Sequence, residues 1–260
     1  MVVLILAGAV FLSAAMALAW AVQRRTGNSG WVDVTWTFAT GLAGAGYALI
    51  PVHGPPNARQ YLVAVLVLAW SLRLGLHIAG RAAKGADDPR YANLQKEWGV
   101  DFPRRLFWFL QTQAAAALVL ALAVLLAART PAAQLRWQDG VAAVLLAGAI
   151  AGEALADTQL RRFIAVPANR GKICDVGLWS WSRHPNYFFE WLGWLAYPVF
   201  AIGGDYPWGW LAFGAPLFMY VLLVHVSGIP PLEAQMLRTR PDAFRASMAR
   251  TSKFFPRPPR

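Results

Sequence analysis

Long apolar stretches alternate with short polar connections along the whole chain. A helix of about 20 apolar residues crosses the hydrocarbon core of a bilayer. In lipid, only helices and closed barrels satisfy every backbone hydrogen bond, and the continuous Leu, Ala and Val runs lack the alternation of barrel strands. The pattern therefore predicts an all-α, polytopic membrane protein with seven transmembrane helices. The predicted spans are residues 2–22, 31–52, 59–80, 106–128, 139–158, 187–204 and 208–227.

Local patterns add detail to this topology. No basic region precedes the first span, and its apolar run is longer than that of a secretory signal, so we predict a retained helix. The longest polar connection, 81–105, contains KGADDPRYANLQKEWG and predicts a short helix with a loop. Neither an internal repeat nor a low-complexity linker divides the chain, so we expect one domain over 1–260.

Composition agrees with a membrane protein. Hydrophobic residues make up 57% of the 260 positions and charged residues only 14%, whereas a soluble domain carries about 25% charged residues. The single cysteine, Cys174, excludes a disulfide framework and a cysteine-rich metal site.

The basic residues are distributed unevenly between the two sides of the predicted topology. Of the 24 Lys and Arg residues, 20 fall in the connections after spans one, three and five or in the C-terminal tail, and only Arg59, Arg129 and Arg136 fall on the opposite side. The positive-inside rule then predicts an N-terminus outside and a C-terminus in the cytoplasm. We therefore attribute much of the net charge of +11 to the orientation of the protein in the membrane and to its attraction to anionic lipid headgroups. No nucleic-acid fold signature accompanies the charge, so we expect no nucleic-acid partner.

Ionisable residues inside predicted spans are costly and indicate function. Several stand four residues apart and so share one helix face. For any single residue, an interhelical salt bridge is about equally plausible. As a group they predict a polar cluster at the cytoplasmic helix ends. The group comprises Asp33, Arg73 with His77, Glu153 with Asp157, Asn186 with Glu190, and Glu233.

A phosphate-rich cofactor fits this cluster, because arginine binds phosphate through two parallel hydrogen bonds and the helix that begins at Pro185 offers backbone donors. The cations are Arg161, Arg162, Arg170, Lys172 and Arg183. GLAGAG at 41–46 has the wrong spacing for a dinucleotide fingerprint and is better suited to helix packing. His184, His225 and Glu190 have no metal-specific spacing, so no metal is predicted.

Several motifs resemble the steroid 5-alpha-reductase C-terminal superfamily, from about residue 31 to the end, with the closest likeness to its bacterial membrane proteins. They are GLWSWSRHPNY with Glu190, GEALADTQLRRF, SLRLGLHIAGR, DDPRY and GIPPLEAQ with the tail RTSKFFPRPP. The resemblance implies a seven-helix oxidoreductase of the bacterial inner membrane, with NADPH bound from the cytoplasm by a cofactor half at about 139–260. Hydride would pass to the β-carbon of an enone, with a 3-oxo-Δ4-steroid giving a 5α-dihydro product.

The resemblance also implies roles for residues. Glu153 and Asp157 would face the cofactor, and Asn186, Tyr187 and Glu190 would hold its nicotinamide or ribose. The other implied cofactor ligands are Arg161, Arg170, Lys172 and Arg183 at phosphates, Arg73 with His77 on the third helix, and Glu233.

The substrate end departs from the animal steroid enzymes of this superfamily. The second span has no Gln-Glu pair to hold a carbonyl, and Trp70 stands where those enzymes carry a tyrosine. We predict Asp33, Tyr91 and Gln111 as catalytic residues, with Tyr47 as a further candidate. A buried Asp33 could donate a proton as a neutral acid.

Two other functions remain open. Membrane methyltransferases that use S-adenosylmethionine and act on isoprenylcysteine or phospholipid share an RHPxY…E segment. The basic residues from Arg161 to Lys172 would have no phosphate to bind there. A non-catalytic sterol-binding protein would not need the paired carboxylates. In every case we expect a monomer. We interpret four tryptophans as partly interfacial belt residues rather than as rings that stack on a cofactor, namely Trp179, Trp181, Trp191 and Trp194.

Overall fold

The computed structural model describes residues 1–52, 54–85, 89–132 and 134–259. Every regular element in those ranges is helical, apart from one isolated bridge between Ser182 and Ser252, so the predicted all-α class is confirmed there. The α-helices are α1 Val2–Thr26, α2 Gly30–Leu49, α3 Ala58–Ala82, α4 Pro89–Trp98, α5 Phe102–Ala128, α6 Trp137–Ala165, α7 Leu178–Trp181, α8 Pro185–Trp194, α9 Ala196–Ala201, α10 Gly214–Val221, α11 Ile229–Thr239 and α12 Pro241–Arg250.

Five helical segments among the described residues are long and apolar enough to cross a membrane. They are Val2–Thr26, Ala58–Ala82, Arg90–Ala128, Trp137–Ala165 and Pro207–Thr239. The second predicted span corresponds to α2, and the sixth is divided between α8 and α9 at Leu195. The predicted short helix in the connection 81–105 is α4, although Asp87 and Asp88 of the DDPRY motif lie outside the described residues. The number of spans, seven, stays a prediction.

The chain divides into two compact units. Unit 1 comprises Met1–Ala143 and Tyr197–Gly214, and unit 2 comprises Val144–Ala196 and Ala215–Arg260. The expected single domain stays a prediction, and each unit is described by itself.

Helix α2 is central to unit 1 and packs on α1, α3 and α5. Small residues allow the approach: a Cβ at Gly41 would lie 2.3 Å from the side chain of Ser71 on α3, and a Cβ at Gly44 would lie 3.2 Å from Val67. Such contacts are closer than a larger residue can accept. The prediction that GLAGAG serves helix packing is therefore confirmed.

A fully buried ion pair joins α3 to the start of α6 within unit 1. Arg59 and Asp139 are each 1% exposed at the side chain, and Nη2 of Arg59 lies 2.8 Å from Oδ2 of Asp139. The guanidinium also donates to the carbonyls of Ala132 and Gln134, both at 2.6 Å. Because all these groups are satisfied by one another, the connection that precedes α6 is held against α3.

Unit 2 brings the second part of α6 against α8, again through glycines. A Cβ at Gly152 would lie 2.4 Å from the ring of Phe189, and a Cβ at Gly193 would lie 3.1 Å from Leu146. The small residues let the polar side chains that share these helices come within hydrogen-bonding reach of one another.

The C-terminal tail lies alongside the segment that leads into α8. The N–H of Arg183 donates to the carbonyl of Ser252 at 2.9 Å, and the N–H of Arg257 donates to the carbonyl of Trp181 at 3.0 Å. Phe254 adds ring contacts with Phe188 and Trp191. The tail is thus an integral part of unit 2.

We predict that Asp139→Asn lowers the free energy of unfolding by about 3–5 kcal/mol, because it leaves the Arg59 guanidinium buried without a counter-charge. Thermal unfolding in detergent measures the change. Asp242→Asn removes a carboxylate from an exposed pair with Arg245 and serves as the matched control, for which we expect no measurable change. Equal stability of the two variants would contradict a structural role for the buried pair.

Candidate functional site

The start of α8 brings together two of the predicted site residues. Pro185 stands in the first turn, where its missing N–H costs nothing. The next residue, Asn186, donates from its side-chain amide to Oδ1 of Asp157 on α6 at 3.3 Å, and its side-chain oxygen accepts the N–H of Tyr187 at 3.0 Å. Two predicted cofactor ligands from segments 29 residues apart are therefore brought together.

Two further buried carboxylates belong to the same pair of helices. Glu153 lies one turn before Asp157 on α6, and Glu190 lies one turn after Asn186 on α8. Oε1 of Glu190 accepts a hydrogen bond from the indole of Trp194 at 2.9 Å. A carboxylate buried in an apolar surrounding is costly unless donors surround it. Three such groups on two adjoining helices form a buried polar cluster in unit 2.

Arg183 and Glu233 were both predicted as cofactor ligands, and they bind each other. Nε and Nη2 of Arg183 lie 2.9 Å and 2.8 Å from Oε1 of Glu233, and Nη1 donates to the carbonyl of Thr251 at 2.6 Å. Nε2 of His184 lies 3.1 Å from the same carboxylate oxygen. These contacts join the segment before α8 to α11 and to the tail.

Burial lowers the pKa of His184 below its ordinary value of 6.5. The hydrogen bond to Glu233 and the negative charge of that carboxylate raise the pKa, whereas the nearby charges of Arg183 and Lys253 lower it further. The imidazole is therefore neutral at pH 7 and donates its Nε2 proton to Glu233. Its ring also stacks on Tyr187, with centroids 5.8 Å apart.

A cleft of about 380 Å³ lies beyond the C-terminal end of α6 in unit 2. Its lining includes the predicted phosphate ligands Arg170 and Lys172, and also Arg240, whose guanidinium donates to the carbonyl of Lys172 at 3.2 Å. Phe163, the first lining residue on α6, follows Asp157 by six positions, about 9 Å along a helix axis. Arg161, also predicted at phosphates, lies exposed on α6 and donates to Thr158 at 3.0 Å.

The remaining predicted cofactor residues, Arg73 and His77, lie one turn apart on α3 in unit 1. Both are partly buried. Their proposed part in cofactor binding stays a prediction.

Two of the three predicted catalytic residues meet in unit 1. The hydroxyl of Tyr91, a residue 2% exposed, donates to Oδ1 of Asp33 at 3.2 Å and accepts from the amide of Gln113 at 3.1 Å. Arg90 pairs with the other oxygen of Asp33. A guanidinium and a hydroxyl thus both donate to the Asp33 carboxylate, and its role as a proton donor stays a prediction.

Gln111 is not part of that cluster. Its side-chain oxygen accepts a hydrogen bond from Ser13 on α1 at 2.7 Å. Gln113 stands three residues after the buried Leu110 and four before the buried Ala117, so the helical period of α5 directs it to the core face. The spacing of Gln113 from the buried positions of α5 is therefore the sequence signal that could have identified it.

Two of the tryptophans interpreted as interfacial are core residues instead. Trp194 is 1% exposed and hydrogen-bonds Glu190, and Trp179 is buried with its indole N–H donating to the carbonyl of Ala156 at 2.9 Å. Trp181 is exposed, as a belt residue would be. The interpretation was wrong for Trp179 and Trp194 because a buried carbonyl or carboxylate satisfies the indole as water would.

Gln159 is a second residue with a role at the site that the sequence motifs did not predict. Its side-chain oxygen accepts the N–H of Leu178 at 2.9 Å, and its amide occupies the space that a Cβ at Gly177 would need. Gly177 has φ +58°, a conformation that glycine adopts without strain. The ADTQL and GLW motifs therefore interlock, and Gln159 positions the segment that precedes α8.

Comparison with known proteins gives one family. The sequence profile of a family described as "Protein of unknown function (DUF1295)" matches residues 19–251. That family includes steroid 5-alpha-reductase-like membrane proteins. Searches of curated proteins and of solved structures return no significant match.

We predict that acidification destabilises unit 2 through His184. Because the pKa of this imidazole is lower in the folded protein than its ordinary value, the unfolded chain binds more protons as the pH falls below 6.5. The melting temperature should therefore fall from about pH 7.5 to about pH 5.5. His184→Gln, which keeps a donor for Glu233, should show a smaller fall. An equal fall in both proteins would assign the pH dependence to other groups.

Proposed function

We propose, from the premise that this chain belongs to the DUF1295 family, that it is an NADPH-dependent membrane reductase acting on the C=C bond of an enone. A 3-oxo-Δ4-steroid is the first substrate class to test, and other apolar enone lipids follow. Membership of a family that includes steroid 5-alpha-reductase-like proteins supports this choice. The observation that carries it is the meeting of Asp157 with Asn186 between α6 and α8, on the helix that continues to a cationic cleft.

The donor set fits the cofactor. The phosphates of NADPH need exposed cations, which Arg170, Lys172 and Arg240 supply around the cleft. Ribose hydroxyls need acceptors, and a nicotinamide carboxamide needs both a donor and an acceptor. Asp157 and Asn186 provide these functions together. We assign Glu153 and Glu190 to the same end of the cofactor, one turn away on each helix.

Arg183 and Glu233 have a different role in this proposal. Their charges are already paired and Arg183 is buried, so moving Arg183 to a phosphate would leave Glu233 without its counter-charge. We assign both as positioning residues that hold the start of α8. In this proposal Tyr187, whose ring stacks on that of His184, offers the cofactor its aromatic ring.

Bound NADPH would supply the hydride, and the chain must stabilise the negative charge that develops on the enone oxygen. Tyr91 is the strongest donor candidate, because its hydroxyl is held by Asp33 on one side and by Gln113 on the other. Arg90 balances the charge of Asp33. In this assignment the single hydroxyl proton of Tyr91, which Asp33 accepts in this structure, turns to the carbonyl oxygen, while Gln113 continues to donate to the Tyr91 oxygen.

The same proposal includes the topology. Seven spans, with the N-terminus outside and the C-terminus in the cytoplasm of a bacterial inner membrane, would direct Arg170 and Lys172 towards cytoplasmic NADPH. The helix bundle would admit an apolar substrate from the lipid. A single chain contains every group that the proposal uses, so we propose a monomer.

We predict that the purified protein in detergent, given NADPH and progesterone or testosterone, forms a product heavier by two hydrogens. Mass spectrometry detects it, and omission of NADPH is the control. Stabilisation by NADPH without steroid reduction would retain the cofactor and move the search to other enones. Stabilisation by S-adenosylmethionine alone, with methylation of a prenylcysteine, would replace the reductase by a methyltransferase. Thermal stabilisation by neither cofactor would contradict both enzyme proposals.

We predict that Asp157→Asn and Glu190→Gln each weaken NADPH binding by about tenfold or more, because a hydrogen bond to a charged group is lost. Both substitutions keep an acceptor oxygen for Asn186 or Trp194, so the melting temperature without cofactor should change little. Glu97→Gln removes an exposed carboxylate from α4 and is the matched control. Unchanged NADPH affinity in both site variants would overturn the assignment.

A further inference from the structure

A second cleft, of about 370 Å³, lies in unit 1 where the end of α1 meets the start of α5. Its lining combines aromatic and charged side chains. Those that matter here are Trp20, Arg24, Asp101, Arg104 and Trp108. None of them belongs to the clusters assigned above to cofactor or substrate.

The walls of this cleft are held in place by two contacts of Trp20. Its indole N–H donates to the carbonyl of Pro103 at 2.7 Å, which fixes the end of α1 against the first turn of α5. The guanidinium of Arg24 lies over the same ring, 5.2 Å from its centroid. A cation placed on an aromatic face loses less freedom when it binds an anion than one on a free side chain.

The cleft opens where apolar surface is exposed. Val100 is 99% exposed and Trp108 is 63% exposed. Val10, fourteen residues before Arg24, lies on nearly the same face of α1 and is 69% exposed. Helices α1 and α5 are both apolar enough to cross a membrane. The apolar surface at the cleft therefore continues along helix faces that lipid acyl chains would cover. Tryptophan at this level is typical of the headgroup boundary.

The excess of positive charge at the cleft favours a headgroup with a net negative charge. Arg24 and Arg104 contribute two positive charges and Asp101 one negative charge, and Arg25 and Arg105 stand exposed beside them. A phosphodiester satisfies the two guanidinium groups. Hydroxyl groups next to the phosphate satisfy the carboxylate of Asp101 as donors, which a trimethylammonium group cannot do.

We propose that this cleft binds the headgroup of an anionic phospholipid of the phosphatidylglycerol type. The phosphodiester lies between Arg24 and Arg104, the glycerol hydroxyls donate to Asp101, and the acyl chains run along the exposed apolar faces of α1 and α5. A soluble phosphate would use the arginines but leave the aromatic and aliphatic surface exposed to water. The inference uses the membrane character of the helices and does not depend on the proposed reductase activity.

The test is a titration of delipidated protein in detergent with phosphatidylglycerol, read by native mass spectrometry and by melting temperature. The unaltered protein should retain one lipid and gain stability. The double variant Arg24→Gln, Arg104→Gln should bind about 25-fold more weakly, taking about fivefold for each arginine near a membrane surface. Arg245→Gln, which removes one exposed cation from α12, is the control and should bind as the unaltered protein does.

Three outcomes would overturn the proposal. Equal stabilisation by phosphatidylcholine would show that the headgroup charge is not read. Equal stabilisation by inorganic phosphate would show a site for a soluble anion. Undiminished phosphatidylglycerol binding by the double variant, with the same melting temperature as the control, would place the lipid elsewhere on the protein.

Discussion

The ion pair between Arg183 and Glu233 determines how unit 2 presents its polar groups. All three guanidinium nitrogens are used, since Nε and Nη2 face the carboxylate and Nη1 donates to the carbonyl of Thr251. A buried guanidinium without such partners would be costly, because its charge would be left uncompensated. Residue 183 lies two positions before Pro185, the first residue of α8, so this pair fixes the backbone from which that helix begins. The contact between Asn186 and Asp157, on which the proposed cofactor site rests, follows from that starting point.

The same requirement explains the few basic residues on the opposite side of the predicted topology. Arg59 donates to carbonyls after α5, Arg129 to the carbonyl of Ile50 at 2.6 Å beyond α2, and Arg136 to the carbonyl of Ile202 at 2.9 Å beyond α9. Helix ends leave four carbonyls without an intrahelical donor, and an arginine fork satisfies two or more at once. These three residues are therefore needed for structure, whereas the cations of the other side are mostly exposed and available to ligands.

Hydrophobic runs and helical spacing are local properties, which is why the long helices, α4 and the packing role of Gly41 could be predicted. Asp157 and Asn186 could each be predicted as site residues from the motifs, but their hydrogen bond to each other could not. The contact of Arg183 with Glu233 joins residues 50 apart, and that of Tyr91 with Asp33 joins residues 58 apart. Periodicity within one helix carries no information on which buried charge will meet which. Gln113 rather than Gln111 meets Tyr91 for another reason, since both glutamines lie on α5 and only the phase of its buried face separates them.

Buried and exposed cations must therefore contribute differently to the binding of an anionic ligand. Transferring Arg183 from Glu233 to a phosphate would uncover a carboxylate in an apolar surrounding, a cost that a single phosphate contact does not offset. Arg170, Lys172 and Arg240 line an open cleft, so they lose only side-chain freedom and screened solvation when an anion binds. The exposed cations therefore discriminate between ligands by charge, and the strength of this discrimination depends on the ionic strength. The buried set contributes geometry, which salt affects much less.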